Sequence, residues 1–204
     1  MAEILLDEQS APSTPASGKM LVYPDSSASN WVQKTDAGRV EGDFSRSAVA
    51  TQSGFAADTY VTNSGLILPS HSMQAGMVFE WKLAGSKTAA GIAAPIYQIR
   101  IGANQTTADT SRLSITGPAQ TAAADDGILT ILVTVRNVGA AGVLQGIAAW
   151  NHELGTATGF GGNAEATSAG FDNTALQGQF VGLSINGGAS AAWTINQCFG
   201  RVYY

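Results

Sequence analysis

The sequence predicts an all-β protein, an antiparallel β-sandwich of the jelly-roll type preceded by an extended arm with a small β-hairpin. Three observations predict this fold class. Hydrophobic and polar residues alternate with period two along many short segments, which is the pattern of half-buried strands. Turn signals rich in Gly, Asn and Ser separate these segments at regular spacing. The Ala-rich stretches 121–124 and 155–169 lack the apolar face that a helix needs, so we expect them to be loops.

The arm is predicted to cover residues 1–53. It begins with a small apolar hook, Ile4, Leu5 and Leu6, on an otherwise polar tail. Residues 11–18 contain two prolines. Each proline fixes its own φ and disfavours helix at the preceding residue, so this stretch is predicted to be an extended linker.

A β-hairpin is predicted within the arm, over residues of about 19–34. Two short segments of β-favouring residues, 19–23 and 30–34, are joined by the Pro-, Asp- and Ser-containing stretch 24–29. An isolated hairpin is only marginally stable in water. We therefore expect this one to contact the following domain, a neighbouring subunit or a larger assembly.

The sandwich domain is predicted to cover residues 54–204. Phe79 and Trp81 alternate with Glu80 and Lys82, so one face of this strand is expected to be buried and the other solvated. Further strands are predicted at 59–62, 66–68, 97–101, 113–115, 129–136, 143–150, 180–185 and 193–203. The last two flank an Asn-Gly turn signal at 186–187, which predicts a C-terminal hairpin.

Charged residues are scarce. They make up 12% of the 204 residues, about half of the roughly 25% that is usual for globular domains. With 45% hydrophobic residues and a net charge of -5, the chain lacks the composition of a disordered protein. Ten Lys and Arg against 15 Asp and Glu exclude the basic surface typical of nucleic-acid or anionic-membrane binding. Because uncharged faces are less costly to desolvate, we expect a homo-oligomer.

The motifs of common catalytic sites are missing from the sequence. There are two histidines, His71 and His152, and no nucleophile elbow accompanies them. Asp125 and Asp126 precede a glycine and are expected to form a turn rather than a glycosidase pair. The single cysteine, Cys198, is predicted to be a small buried residue. We therefore expect no enzyme activity, no metal site and no cofactor.

Several segments resemble tailed-bacteriophage virion proteins, among them fibres and head-decorating proteins. The N-terminal resemblance is carried by Leu6–Lys19 and Thr35–Gly38, and a resemblance to phage jelly-roll modules by Ala56–Tyr60, the strand through Trp81, Lys87–Gly91, Ala164–Asp172 and Gly188–Thr194. The resemblance implies a trimeric jelly roll, located in the virion after assembly in the host cytoplasm and attached by its arm. It leaves open whether the site is on the head or the tail.

Two functions follow as expectations. The first is a trimeric capsid decoration protein, of the cement or head-spike kind, that binds the major capsid protein or another virion protein. Its predicted anchoring residues lie in the arm and are Ile4, Leu5, Leu6, Leu21, Tyr23 and Trp31.

The alternative is a short tail fibre or receptor-binding protein that recognises host glycan. Trp150, Asn151 and His152 are its candidate contacts, since sugar sites combine an aromatic ring with polar groups, although a Trp that ends a strand is more often buried.

Overall fold

The computed structural model describes residues 20–25, 30–35, 40–41, 46–48, 51–68, 72–152, 159–188 and 192–203, without the side chains of the first four ranges and of His152. All the regular secondary structure within these ranges is β-strand. The chain divides into two compact units, Met1–Phe44 and Ser45–Tyr204. The strands are β1 (Met20–Asp25), β2 (Asn30–Thr35), β3 (Val40–Glu41), β4 (Arg46–Ala48), β5 (Gln52–Ser53), β6 (Thr59–Tyr60), β7 (Leu66–Ile67), β8 (Val78–Lys87), β9 (Ile96–Gly102), β10 (Thr110–Thr116), β11 (Asp125–Asn137), β12 (Val143–His152), β13 (Ala164–Thr167), β14 (Phe180–Asn186) and β15 (Trp193–Tyr203).

The first unit contains a three-stranded antiparallel sheet in the order β1-β2-β3. β1 and β2 pair in continuous register, with Tyr23 opposite Val32 and Pro24 opposite Trp31. The predicted hairpin is therefore confirmed, and it gains β3 as a third strand. The apolar hook at residues 4–6 and the linker at 11–18 lie outside the described residues.

The second unit is a sandwich of two antiparallel sheets. The large sheet has the order β13-β12-β11-β8-β15-β4, and β5 also pairs with β15. The small sheet has the order β10-β9-β14-β6, and β7 also pairs with β14. β4 and β5 fall within residues 1–53, the predicted arm, and they form the edge of the large sheet.

The strand order is that of a jelly roll. Along the chain, the strands are added alternately to the two sheets: β4–β5 to the large, β6–β7 to the small, β8 to the large, and β9–β10 to the small. β11–β13 then return to the large sheet, and the last two strands are divided between the small and the large. β14 and β15 each lie between an early strand and a middle strand. This order confirms the predicted fold class.

Two local predictions are wrong. β14 and β15 do not form a C-terminal hairpin, because β14 pairs with β9 in the small sheet and β15 with β8 in the large sheet. The Asn-Gly stretch follows β14, and Gly188 has a φ of 96°. Part of the Ala-rich stretch predicted to be a loop forms β13, which pairs with β12. Four residues of alternating exposure are enough for an edge strand without an apolar run.

The core lies between the sheets. Phe79 and Trp81 of β8, which were predicted to face inward, are fully buried, as are the alternating residues Leu129, Ile131, Val133 and Val135 of β11 and Leu183 and Ile185 of β14. The indole of Trp81 is completely buried and donates a hydrogen bond of 2.8 Å to the carbonyl of Ser64. The Ser64 hydroxyl in turn accepts a hydrogen bond of 3.0 Å from the backbone N–H of Leu183. Through Ser64, these two hydrogen bonds connect β8 of the large sheet with β14 of the small sheet.

An aromatic cluster fills one region of the core. Trp150 of β12 stacks on Phe160, with the two rings nearly parallel and their centroids 3.6 Å apart. The Trp193 ring of β15 packs beside both rings at nearly right angles, with centroid distances of 5.5 Å to Trp150 and 5.2 Å to Phe160. The Trp150 indole N–H donates a hydrogen bond of 2.8 Å to the hydroxyl of Tyr97, which belongs to the small sheet. The cluster therefore joins the two sheets through both apolar contact and a buried hydrogen bond.

Two glycines make room for this cluster. Gly85 of β8 and Gly127 of β11 lie directly opposite each other in register. A Cβ atom on Gly127 would lie 2.8 Å from the carbonyl oxygen of Asn151 and 3.2 Å from the Trp150 ring. A Cβ atom on Gly85 would lie 3.1 Å from the same ring. The Trp150 indole thus covers a part of the sheet where side chains are missing.

Gly127→Ala is expected to destabilise the protein by about 1–3 kcal/mol, because the added methyl group overpacks a region that backbone atoms restrict. Gly162→Ala is the matched control, since a Cβ atom there has no neighbour within 4 Å, and it should change the stability by less than about 0.5 kcal/mol. Urea unfolding followed by tryptophan fluorescence measures both. Equal stability of the two variants would contradict the packing described.

Candidate functional site

Trp150 and Asn151, two of the three residues predicted to contact glycan, lie on different sides of the large sheet. Trp150 is 7% exposed, and Phe160 covers one face of its ring. Asn151 follows it in β12 and is exposed, because consecutive residues of a strand point to opposite faces. His152 pairs with Gly127 in the sheet, and its side chain lies outside the description. The structure therefore does not bring the Trp150 ring and the Asn151 amide together on one surface.

Asn151 borders an open depression of about 560 Å³ on the outer face of the large sheet. Two other polar side chains, Asp126 and Asn196, contribute to its lining together with Ala84 and Ile128. The depression thus offers amide and carboxylate groups beside an aliphatic surface.

The outer face of the large sheet carries most of the exposed large hydrophobic residues. Six such residues occur in the described part of the chain, and four of them, Ile128, Leu132, Ile147 and Tyr203, belong to strands of this sheet. Leu132 of β11 lies directly opposite Ile147 of β12, so the two side chains can cover a shared surface. Exposed apolar residues that cluster in this way are typical of interaction surfaces.

We call the central part of this face the outer stripe. It comprises the outward-facing residues Ile128, Thr130, Leu132 and Thr134 of β11, and Val143, Gln145, Ile147 and Ala149 of β12. These eight side chains contain no charged group. The scarcity of charged residues in the sequence is therefore found at a defined surface. Removing this surface from water on contact with a partner costs little free energy.

Charged groups border the outer stripe on the side of β8. Lys82 and Glu80 form an ion pair of 3.2 Å, and the Tyr203 hydroxyl donates a hydrogen bond to the Glu80 carboxylate. The guanidinium of Arg201 lies 5.1 Å from the centre of the Tyr203 ring. The hydrogen bond to Glu80 raises the pKa of Tyr203 above its usual value. These contacts hold the Tyr203 ring at the border of the face.

A polar cleft lies at the edge of the small sheet. The segment 58–63 forms one wall and residues 105–107 form the other. Beneath it, Arg100 of β9 is 9% exposed and forms an ion pair with Asp58. The Arg100 guanidinium also donates hydrogen bonds to the carbonyls of Thr107 at 2.8 Å and Asp109.

The buried Asp109 side chain fixes the loop that forms the second wall of the cleft, residues 105–107. Its carboxylate is buried and accepts hydrogen bonds from the backbone N–H of Asn104 at 3.0 Å and of Gln105 at 2.8 Å. The Asn104 amide donates a third bond of 3.0 Å. A carboxylate that accepts several N–H groups fixes a loop strongly, because these hydrogen bonds are charge-assisted. Sequence reasoning missed this cleft because its residues form no recognised motif.

Asp125 and Asp126 do not form the expected turn, because both lie in β11, where they point in opposite directions. Asp125 is buried, and its carboxylate accepts a hydrogen bond of 2.8 Å from the backbone N–H of Phe160. Asp126 is exposed on the outer face. Near Asp125, the buried ammonium of Lys87 donates to the carbonyls of residues 121 and 123 at 2.7 and 2.6 Å. Burial lowers the pKa of Lys87, although the negative charge of Asp125 opposes this shift.

Cys198 lies in the core, as predicted. Burial raises the pKa of its thiol to about 12, so the reactive thiolate is scarce at neutral pH.

His71 lies outside the described residues. In the part of the chain that the structure describes, no group of three or more His, Cys, Asp or Glu residues could hold a metal ion. No helix in those same ranges is long and apolar enough to cross a membrane.

Comparison of the chain with protein-family models gives no match, and comparison with curated proteins gives none either.

Replacing Arg100 with Met is expected to destabilise the protein by about 3 kcal/mol, because Asp58 and the carbonyls of two loop residues lose their buried partner. Lys82→Met is the matched control. It also removes one cation from an ion pair, but the Lys82 side chain is 53% exposed, so the expected change is within about 0.5 kcal/mol. Urea unfolding measures both, and an Arg100 variant as stable as the control would contradict the structural role of the ion pair.

Proposed function

We propose that this protein is a structural subunit of a bacteriophage virion, a homotrimeric capsid decoration protein of the cement or head-spike kind. The outer stripe carries this proposal. A stripe of uncharged side chains with exposed Leu132 and Ile147 at its centre is suited to contact between subunits, because it buries apolar area and leaves no charge unpaired. The jelly-roll order of the strands and the resemblance of several segments to phage virion proteins agree with this function.

The arm is the anchor in this proposal. The hook Ile4, Leu5 and Leu6 and the hairpin residues Leu21, Tyr23 and Trp31 contact the major capsid protein or another virion protein. A segment with an apolar hook and a proline-containing linker can extend over a partner surface and become ordered there. The sandwich then projects from the shell, and the protein acts without catalysis, cofactor or metal.

The double variant Leu132→Lys, Ile147→Lys is expected to sediment as a monomer, whereas the wild-type chain sediments as a trimer. The two ammonium groups would have to be desolvated at the subunit contact, which costs several kcal/mol. Ser114→Lys, Thr116→Lys is the matched control, since both residues are exposed on a strand of the small sheet, and it should remain trimeric. A wild-type chain that sediments as a monomer would exclude the proposed assembly.

Deletion of residues 1–18 is expected to abolish binding to heads purified from the phage that encodes the chain, while the sandwich stays trimeric. The reason is that the deletion removes the apolar hook and the linker but keeps both hairpin strands. Co-sedimentation with heads measures the binding. The variant Ile4→Ser, Leu5→Ser, Leu6→Ser should reproduce the loss, and undiminished binding of the deletion variant would show that the hook and the linker do not anchor the protein.

A further inference from the structure

The polar cleft at the edge of the small sheet has the properties of a ligand site. It is an open depression of about 510 Å³, within the range of volumes usual for small-molecule sites. All the residues that line it carry polar side-chain groups: Asp58, Thr59, Tyr60, Thr62, Asn63, Gln105, Thr106 and Thr107. Four of these, Thr62, Asn63, Thr106 and Thr107, are exposed and so available to a ligand.

The two walls of the cleft are held in place before any ligand binds. Arg100 connects them, because its guanidinium pairs with Asp58 on one wall and donates to the Thr107 carbonyl on the other. The Gln105 side chain lies against Gly65, where a Cβ atom would approach its Oε1 to 2.5 Å. A preorganised site loses less conformational entropy when it binds.

The backbone is also unusual on both walls. Asn63 and Gln105 have left-handed conformations, with φ of 61° and 55°. Asn tolerates this region, but Gln adopts it rarely. Such conformations persist where the surrounding structure enforces them, and they cluster at functional sites. Here the hydrogen bond from the Gln105 N–H to Asp109 is one contact that enforces it.

The chemistry of the lining selects the class of ligand. The only carboxylate in the lining, that of Asp58, is paired with Arg100, so the cleft has no net charge to attract an anion or a metal ion. The Arg100 guanidinium is occupied by four further acceptors, the Ser184 hydroxyl, the carbonyls of Thr107 and Asp109, and the Gln98 amide oxygen. The hydroxyl groups of Thr62 and Thr107 and the amide group of Asn63 line the cleft as well, and these groups both donate and accept hydrogen bonds.

We propose that this cleft binds a neutral saccharide, with Thr62, Asn63 and Thr107 as direct contacts of its hydroxyl groups. Uncharged polyhydroxylated ligands present closely spaced donors and acceptors, which match the mixed lining. This inference goes beyond the proposed function and does not depend on whether the protein forms trimers or decorates a capsid. It also places the saccharide on the small sheet, away from Trp150 of the large sheet.

Saturation-transfer difference NMR on the full chain tests the proposal with a panel of glucose, galactose, N-acetylglucosamine, rhamnose, lactose and cellobiose. We expect transfer to at least one of them. The variant Asn63→Gly, Thr107→Val should bind that saccharide roughly tenfold more weakly, because it removes polar groups worth about one hydrogen bond each. Glycine at position 63 keeps the left-handed backbone accessible, and all the replaced side chains are exposed.

The matched control is Thr116→Val, which removes an exposed hydroxyl from another strand of the small sheet and should leave the affinity unchanged. Thr62→Val is a second, independent variant with the same expected direction. Thermal unfolding verifies that each variant is folded. The proposal is overturned if no saccharide of the panel shows transfer, if the variants bind as tightly as the wild type, or if inorganic phosphate displaces the bound saccharide.

Discussion

The burial of Trp150 between the two sheets is the constraint on which much of the sandwich depends. Its indole occupies space that the paired glycines Gly85 and Gly127 leave open, and its N–H reaches the hydroxyl of Tyr97 across the core. Burial raises the pKa of Tyr97, so this hydroxyl stays neutral and can accept the bond. Because Phe160 then stacks on the indole, the large sheet, the small sheet and the segment after β12 are held at one place.

The jelly-roll order places two chemically different surfaces on opposite sides of this core. The outer face of the large sheet offers the uncharged outer stripe, which suits contact with another subunit. The edge of the small sheet offers the polar cleft, whose walls are joined by the Arg100–Asp58 ion pair. One domain can therefore assemble through one sheet and bind a small polar ligand through the other, since neither surface contributes to the other's packing.

The candidate sites show where prediction from the sequence succeeds and where it fails. Trp150 was proposed to share a glycan site with Asn151, yet alternation along β12 directs the two side chains to opposite faces of the sheet. The parity of Leu144 and Ala148, both buried, is the signal that identifies Trp150 as a core residue. No comparable signal marks the polar cleft, because its walls, residues 58–63 and 105–107, are far apart in the chain and Arg100 joins them only in the folded protein.

The sequence by itself determined most of the long strands and the buried faces of β8 and β11, although it missed β13 and the start of β11. These properties depend on residue alternation and on turn residues, which act over a few neighbouring positions. Only the tertiary structure decided which strands pair. The Asn-Gly turn before β15 is compatible with a hairpin, but β14 and β15 enter different sheets. Pairing in a jelly roll joins residues far apart in the chain, and the packing of both sheets on one core selects the partners.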